Sequence, residues 1–247
     1  SLRDIFKNDF WDELVDSWTK KIDNGRIFEC AMTCGQKLTK VWDQNKKMVD
    51  TYRYYVTGNN RGLGLELSKH FQAEGCSRQS GLDITKDQDV KHIAKQSLHY
   101  DVFINNAFDG PPDEPWGNFG QFNVLLAVYK EWFKVRKEGW IFNIGSTASN
   151  YLHPVNVHGT YGASKTTLDY ASKQCSRAFS EGIVGFKTTL IRPDRLDTPL
   201  SRSRDTWTGN GVNCVDIARF IEYAMSIKRN SIIEEVVIDV NMEYGNE

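Results

Sequence analysis

Tyr161 and Lys165 stand four residues apart in Tyr161-Gly162-Ala163-Ser164-Lys165. On a helix that spacing puts both side chains on one face, so a phenol and an ammonium can lie side by side. An unperturbed phenol, with a pKa of about 10, is a poor base at neutral pH. A cation at ~4 Å is worth roughly 4 kcal/mol at an effective dielectric of ~20. That brings the phenol down by about three pKa units, into the working range of a general acid/base. Such a pair can hand a proton to a carbonyl oxygen. On two residues alone, a surface tyrosine and lysine at a helix start are the commoner arrangement.

A second stretch that could do chemistry is Thr57-Gly58-Asn59-Asn60-Arg61-Gly62-Leu63-Gly64. A β-rich run, Tyr52–Val56, leads into it, and a helical pattern beginning at Leu65 leads out to about Glu74. Strand, glycine turn and helix together set a diphosphate against a helix N-terminus, where free N–H groups and the helix dipole meet the anion. Glycine permits the sharp turn and the close approach of the phosphate. Glycine clusters also mark ordinary loops, so the weight of this stretch comes from its company.

The elements that must position these residues alternate. Gly75–Gln79 reads as a short second strand, and Gly81-Leu82-Asp83-Ile84-Thr85 follows almost at once. A parallel crossover needs roughly a dozen residues, so one strand at this sheet edge is expected to be reduced or missing. Asp87–Tyr100 is helical in pattern, Asp101–Ala107 a buried strand, and Gly110–Pro115 a loop. A long helix spans Phe119–Val135, with aromatics such as Trp132 and Phe133 directed to the core or to an interface. Gly139–Ser146 is a strand, Tyr161–Glu181 a helix, and Phe186–Ile191 a strand ending at Arg192-Pro193. Val215–Ile227 is a helix and Val236–Val240 a last strand. This predicts an α/β fold, a Rossmann-like doubly wound parallel sheet of about six strands covered on both faces. Ligands bind beyond the carboxyl ends of such strands. Thr57, Ser77-Arg78, Asn105-Asn106, Ser146 and Arg192 to Thr198 therefore converge on one edge.

Residues 1–50 stand apart. Apolar positions from Ile5 to Ile22 and from Ile27 to Trp42 recur at helical spacing around Asp23-Asn24-Gly25. They predict an N-terminal helical extension preceding a domain over 51–247. The chain of 247 residues has a formal net charge of −1, which gives no reason to expect nucleic acid or an acidic membrane as partner. No apolar run approaches membrane-spanning length. The five cysteines lack framework spacing and suit reduced thiols, so the expected setting is the cytoplasm. Cys30 and Cys34 have no histidine nearby to complete a metal site, and no metal is expected.

Thr57-Gly58-x-x-x-Gly62-x-Gly64, Asp83, Asn105-Asn106-Ala107, Asn123, Ser146, Tyr161-x-x-x-Lys165 and Pro193-x-x-x-x-Thr198 occur in order. Their order and approximate spacing resemble those of the classical short-chain dehydrogenase/reductase family, over about residues 50 to 242. Each motif is modest, and their joint occurrence is specific. The resemblance implies Tyr161 as catalytic acid/base and Lys165 as the group that lowers its pKa and holds the nicotinamide ribose. It implies Ser146 at the substrate oxygen and Asn123 as holder of a relay water behind Lys165. Gly58, Asn60, Arg61, Gly62, Leu63 and Gly64 would line the diphosphate side. Asp83 and Ile84 would meet the adenine, and Asn105, Asn106 and Ala107 would lie along the adenosine ribose. Pro193, Leu196 and Thr198 would meet the nicotinamide end. Ser77-Arg78 stands where an acid would select NAD(H), and Arg61 sits inside the glycine turn. Guanidinium forks match a 2′-phosphate, so NADP(H) is the expected cofactor, with NAD(H) second.

The expected reaction is hydride transfer between nicotinamide and a carbonyl or secondary alcohol. The expected assembly is a homodimer or homotetramer, pairing through the helices at about 119–135 and 161–181. Some features depart from the family pattern. Phe108 replaces a usual glycine, Asp194 follows Pro193 where glycine is common, and Pro199–Asn213 is short for a lid, with Trp207 its large apolar residue. Tyr151, Leu152, His153 and His158 would border the substrate pocket. The foreign helical extension and the short lid leave a second reading, a non-catalytic NADP(H)-binding regulatory or scaffold protein on the same fold.

Overall fold

Four consecutive buried residues, Tyr54–Thr57, form strand β1 and open the sheet. The computed structural model describes residues 52–108, 119–150, 159–204, 207, 209–227 and 230–239. The chain divides after Thr51, and everything described belongs to the unit Tyr52–Glu247. The helical extension expected over 1–50, the loop 110–115 and the candidates Tyr151, Leu152, His153 and His158 lie outside the described residues.

Helix α1 (Gly62–Phe71) follows β1 and returns the chain to β2 (Glu74–Cys76). The helix ends three residues before the expected Glu74. Gln72 takes the left-handed conformation at φ 49°, and Ala73 N–H donates to Ser68 O at 2.9 Å, closing the last turn. β2 pairs in parallel with β1 from Glu74 onward, so Glu74 belongs to the strand. Beyond β2 the chain turns through a 3-10 segment at Arg78–Ser80 and passes directly to α2 (Asp87–Gln96). No strand lies outside β2 among the described residues, as the short Gly81–Thr85 connection requires. A second 3-10 turn, Ser97–His99, replaces the end of the helix expected to reach Tyr100.

The remaining elements alternate: β3 (Val102–Asn105), α3 (Gly120–Lys134), β4 (Gly139–Ile144), α4 (Gly159–Ser180) and β5 (Phe186–Pro193). A short α5 (Pro199–Arg202), α6 (Cys214–Ser226) and β6 (Glu235–Ile238) complete the fold. The six strands are all parallel, in the order β2-β1-β3-β4-β5-β6. β3 and β5 read as nearly continuous buried runs because helices cover both faces. From β1 the chain winds first to β2 on one side and then to β3 on the other. The switch point between β1 and β3 is where such sheets bind ligands.

The core beneath this edge is aromatic. Trp132 is fully buried, donates from Nε1 to Ser97 Oγ at 2.8 Å and meets Phe186 edge-on at 5.4 Å. Its neighbour Phe133 is exposed. The two aromatics therefore divide, one to the core and one to the surface. Cys76, Cys175 and Cys214 are buried free thiols.

Candidate active site

At the end of β1 the backbone turns sharply at Gly58, with φ +72°. Gly58 N–H donates to Cys76 O at 2.6 Å. A Cβ on Gly64 would stand 2.1 Å from Gly58 O and 2.6 Å from Asn106 Nδ2, so only glycine fits there. α1 begins at Gly62 without a side-chain cap, which leaves its first N–H groups to face the cleft. Thr57 Oγ1 accepts from Asn106 N and Ala107 N, both at 2.9 Å, and so locks the end of β3 beside the glycine turn.

These strand ends open into a cavity of about 1130 Å³. On its β1–β2 side lie Gly58, Asn60, Arg61, Gly62, Leu63 and Gly64, then Ser77, Arg78, Asp83 and Ile84. The Asp83 carboxylate accepts from Thr85 N at 3.0 Å and Thr85 Oγ1 at 2.9 Å. The Thr85 hydrogen bonds, with the nearby Arg78 charge, hold it below the ordinary carboxylate range. Across the switch point lie Asn106, Ala107 and Phe108, then Ser146, Tyr161 and Lys165, and finally Pro193, Leu196 and Thr198. Thr198 caps α5, its Oγ1 accepting from Ser201 N at 3.2 Å.

Two expected residues stand elsewhere. Asn105 does not line the cavity. It is fully buried beneath it, donating from Nδ2 to Gln121 O and Asn143 Oδ1, both at 2.9 Å. Asn123 is exposed on α3, whereas Gln121, two positions earlier, is buried and reaches the site. Gln121 Oε1 accepts from Lys165 Nζ at 2.7 Å, and its Nε2 donates to Asn105 O and Ile144 O at 2.7 and 2.9 Å. Both amide hydrogens are thereby used on carbonyls, which fixes the oxygen toward Lys165. A shift of two residues turns a helical side chain by about 200°, from one face to the other. The order of apolar residues alone did not separate these two amides.

Lys165 is 4% exposed and also donates to Ile144 O at 3.0 Å. Its ammonium lies 5.4 Å from the Phe108 ring centroid and 5.6 Å from that of Tyr161. It thus faces the rings and the Gln121 amide. The expectation that Lys165 pulls the phenol into the neutral range is not met by this geometry. Burial raises the Tyr161 phenol above its ordinary value, opposed by hydrogen bonding with Ser146 and by the charge of Arg204, with Asp169 adding to the rise. Phe108 packs edge-on against Tyr161 at 5.0 Å, so the bulk expected near the cofactor lies on the Tyr161 ring itself.

Ser146 leaves β4 in a tight turn, its Oγ accepting from Ala148 N at 3.2 Å and its carbonyl from Ser149 N at 3.2 Å. Behind it stands Arg192, which is absent from the cavity lining although its strand end was expected to point there. Its Nε lies 3.1 Å from Asp169 Oδ2 and 3.4 Å from Ser146 O, and its Nη1 lies 2.5 Å from Glu235 Oε1. The short lid differs as well. Leu200 from α5 lines the cavity, while Trp207 packs against Gly211. Asp194 and Arg195, from the stretch expected on this edge, and Ser201 and Arg204, from the short lid, join the lining.

The uncapped helix start, the glycine turn and the basic side chains around it fit a dinucleotide diphosphate. Gly64 has no room for a Cβ, as close approach of the two backbones requires.

No family model matches the chain. An uncharacterized oxidoreductase of Staphylococcus epidermidis is 21% identical over 222 residues, spanning 74% of this chain and 94% of the relative. One of Schizosaccharomyces pombe is 27% identical over 228 residues, spanning 74% and 85%. Among solved structures, a short chain dehydrogenase of Burkholderia cenocepacia in complex with NADP superimposes with a TM-score of 0.59 at 16% identity, over 78% of this chain and 90% of that one. A 3-ketoacyl-(acyl-carrier-protein) reductase of Brucella melitensis complexed with NADH gives 0.58 at 19% identity, over 78% and 97%. The fold is that of the short-chain dehydrogenases.

Proposed function

We propose that this chain, with its short-chain dehydrogenase fold, is an NADP(H)-dependent oxidoreductase acting on a carbonyl or secondary alcohol, with Tyr161 as general acid/base. One observation carries the reading: the Ser146 and Tyr161 hydroxyls meet in the same cavity that the glycine turn and the start of α1 open into. The names of the two relatives support an oxidoreductase, and the ligands of the two solved structures, NADP in one and NADH in the other, support a nicotinamide cofactor.

Bound there, the nicotinamide supplies the hydride donor or acceptor. Tyr161 gives its proton to the substrate oxygen in reduction. Burial keeps the phenol protonated through neutral pH, which is the state that donates. Ser146 donates a hydrogen bond to the same oxygen and stabilises the charge that grows on it. Lys165, held from behind by Gln121 and Ile144, would hold the ribose hydroxyls. Arg61 and Arg78 would face the 2′-phosphate, since the end of β2 supplies Cys76 and Ser77 and no acid. Exposed Phe133 on α3 and Tyr170 on α4 support association into a homodimer or homotetramer through these helices.

Phe108 favours a second reading, because an aromatic ring already packs on the two side chains that must serve catalysis. On that reading the chain binds NADP(H) without turnover. A panel of aldehydes and ketones with NADPH, run on the wild type and Tyr161→Phe, separates the two. Turnover that falls by about 10²–10⁴-fold in the variant is expected for an acid/base catalyst. Turnover unchanged in Tyr161→Phe removes the catalytic assignment. Titration with NADPH and NADH by nicotinamide fluorescence tests the cofactor, and tighter binding of NADH removes the Arg61/Arg78 assignment alone.

A further inference from the structure

Arg204 follows α5 in a turn held on both sides. Its N–H donates to Ser201 O at 3.2 Å, and its carbonyl accepts from Trp207 N at 2.9 Å. Arg202, two residues earlier, commits its guanidinium to Asp197 in two bonds of 2.6 and 2.9 Å. Arg204 has no such carboxylate among the described residues. It lines the same cavity as Ser146 and Tyr161, and its charge is felt at the Tyr161 phenol.

The other charges lining the cavity are engaged, Arg195 with a partner of its own, or are assigned to the cofactor side. Lys165 is bound to Gln121, and Asp83 is bound by Thr85. Asp194 accepts from Thr147 Oγ1 at 2.9 Å. Arg61 and Arg78 flank the β1–β2 side. Arg204 is an exposed cation on this cavity lining, within electrostatic reach of the reacting hydroxyls and without a carboxylate partner among the described residues, and so is open to an anion. A guanidinium presents a planar fork that matches a carboxylate or a phosphate.

We propose that Arg204 anchors an anionic group on the substrate, a carboxylate or phosphate carried by the same molecule as the reacting carbonyl. The proposal rests on the oxidoreductase reading of this cavity and narrows it to acidic carbonyl compounds. The anion fixes the carbonyl against Ser146 and Tyr161, so its binding orients the reacting carbon as well as adding affinity.

The test compares 4-formylbenzoate, 4-formylphenyl phosphate and methyl 4-formylbenzoate as substrates with NADPH. Wild type is expected to favour one or both anions over the ester. In Arg204→Leu the anion-to-ester ratio of kcat/KM should fall by about 10–100-fold, the value of a charge-assisted hydrogen-bonded pair. Arg204→Lys should recover part of that ratio, which a fold defect would not do. The two anions distinguish carboxylate from phosphate. A ratio unchanged in Arg204→Leu overturns the proposal. So does a loss of NADPH affinity that accounts for the whole effect, since Arg204 would then serve the cofactor. Should no aldehyde be turned over, the oxidoreductase reading fails by itself. Calorimetric titration of benzoate and phenyl phosphate into the NADPH-saturated protein then decides the anion site. Binding lost in Arg204→Leu keeps it, and no binding to wild type removes it.

Discussion

Four hydrogen bonds meet at Gln121: two from its amide group to carbonyls, one received from Lys165, and one received at its own carbonyl from Asn105. Nothing in the motif spacing singled this residue out, because the expected amide was Asn123. Gln121→Asn keeps the functional group and shortens its reach by one methylene. It should lower kcat more than it raises KM, by about 10–100-fold, since a small misplacement near the reacting groups costs up to that much. It should also move the pH profile of kcat, because Lys165 would no longer be held against Gln121. A lowered melting temperature with an unchanged pH profile would leave Gln121 a purely structural role.

At the scale of elements, Arg192 fastens β5 to α4 through Asp169, to β6 through Glu235, and to the turn carrying Ser146. Asp169 sits one turn after Lys165 on α4, so the clamp joins the turn carrying Ser146 to the helix carrying Lys165. Its side chains are little exposed, 9% for Arg192 and 10% for Asp169. Removing one partner of such a pair strands the other, so Arg192→Leu should cost about 3–5 kcal/mol in denaturant unfolding. Arg192→Leu with Asp169→Leu should recover much of that loss. A double variant as unstable as the sum of the single ones would show that the pair itself is not what Arg192 contributes.

The whole molecule carries its buried thiols as an alkaline weakness. Burial raises Cys175 from 9.0 to about 12, and Cys76 and Cys214 to about 11. The unfolded chain releases these protons near the ordinary thiol value, while the folded chain keeps them. Stability from these groups is therefore whole below pH about 9 and declines as pH climbs toward about 12. The melting temperature should fall across that window, and Cys175→Ala should make the fall shallower. An identical slope in the variant would mean that Cys175 is not responsible.

Order and spacing along the chain were enough for the alternation of strands and helices, the glycine turn and the Ser146, Tyr161 and Lys165 set. Each of these depends on neighbours within a few residues or on a motif order that a parallel sheet preserves. The shortened edge beyond β2 was legible for the same reason, since too few residues separate Cys76 from Asp83 to cross over. Other features were settled only by packing. Asn105 and Asn106 are adjacent, yet Asn105 is the last residue of β3 and stays buried in the sheet, while Asn106 lies beyond the strand and faces the cleft. Gln121 and Asn123 differ by two positions on a helix whose rotation against β3 and β4 no local pattern specifies. Lys165 meets the amide of Gln121 because α3 packs against α4, and Arg204 reaches the cavity of Tyr161 because α5 folds over it. Chain order determines which groups are available. The tertiary structure decided which of them meet, because contacts between distant residues depend on how whole elements rotate and pack.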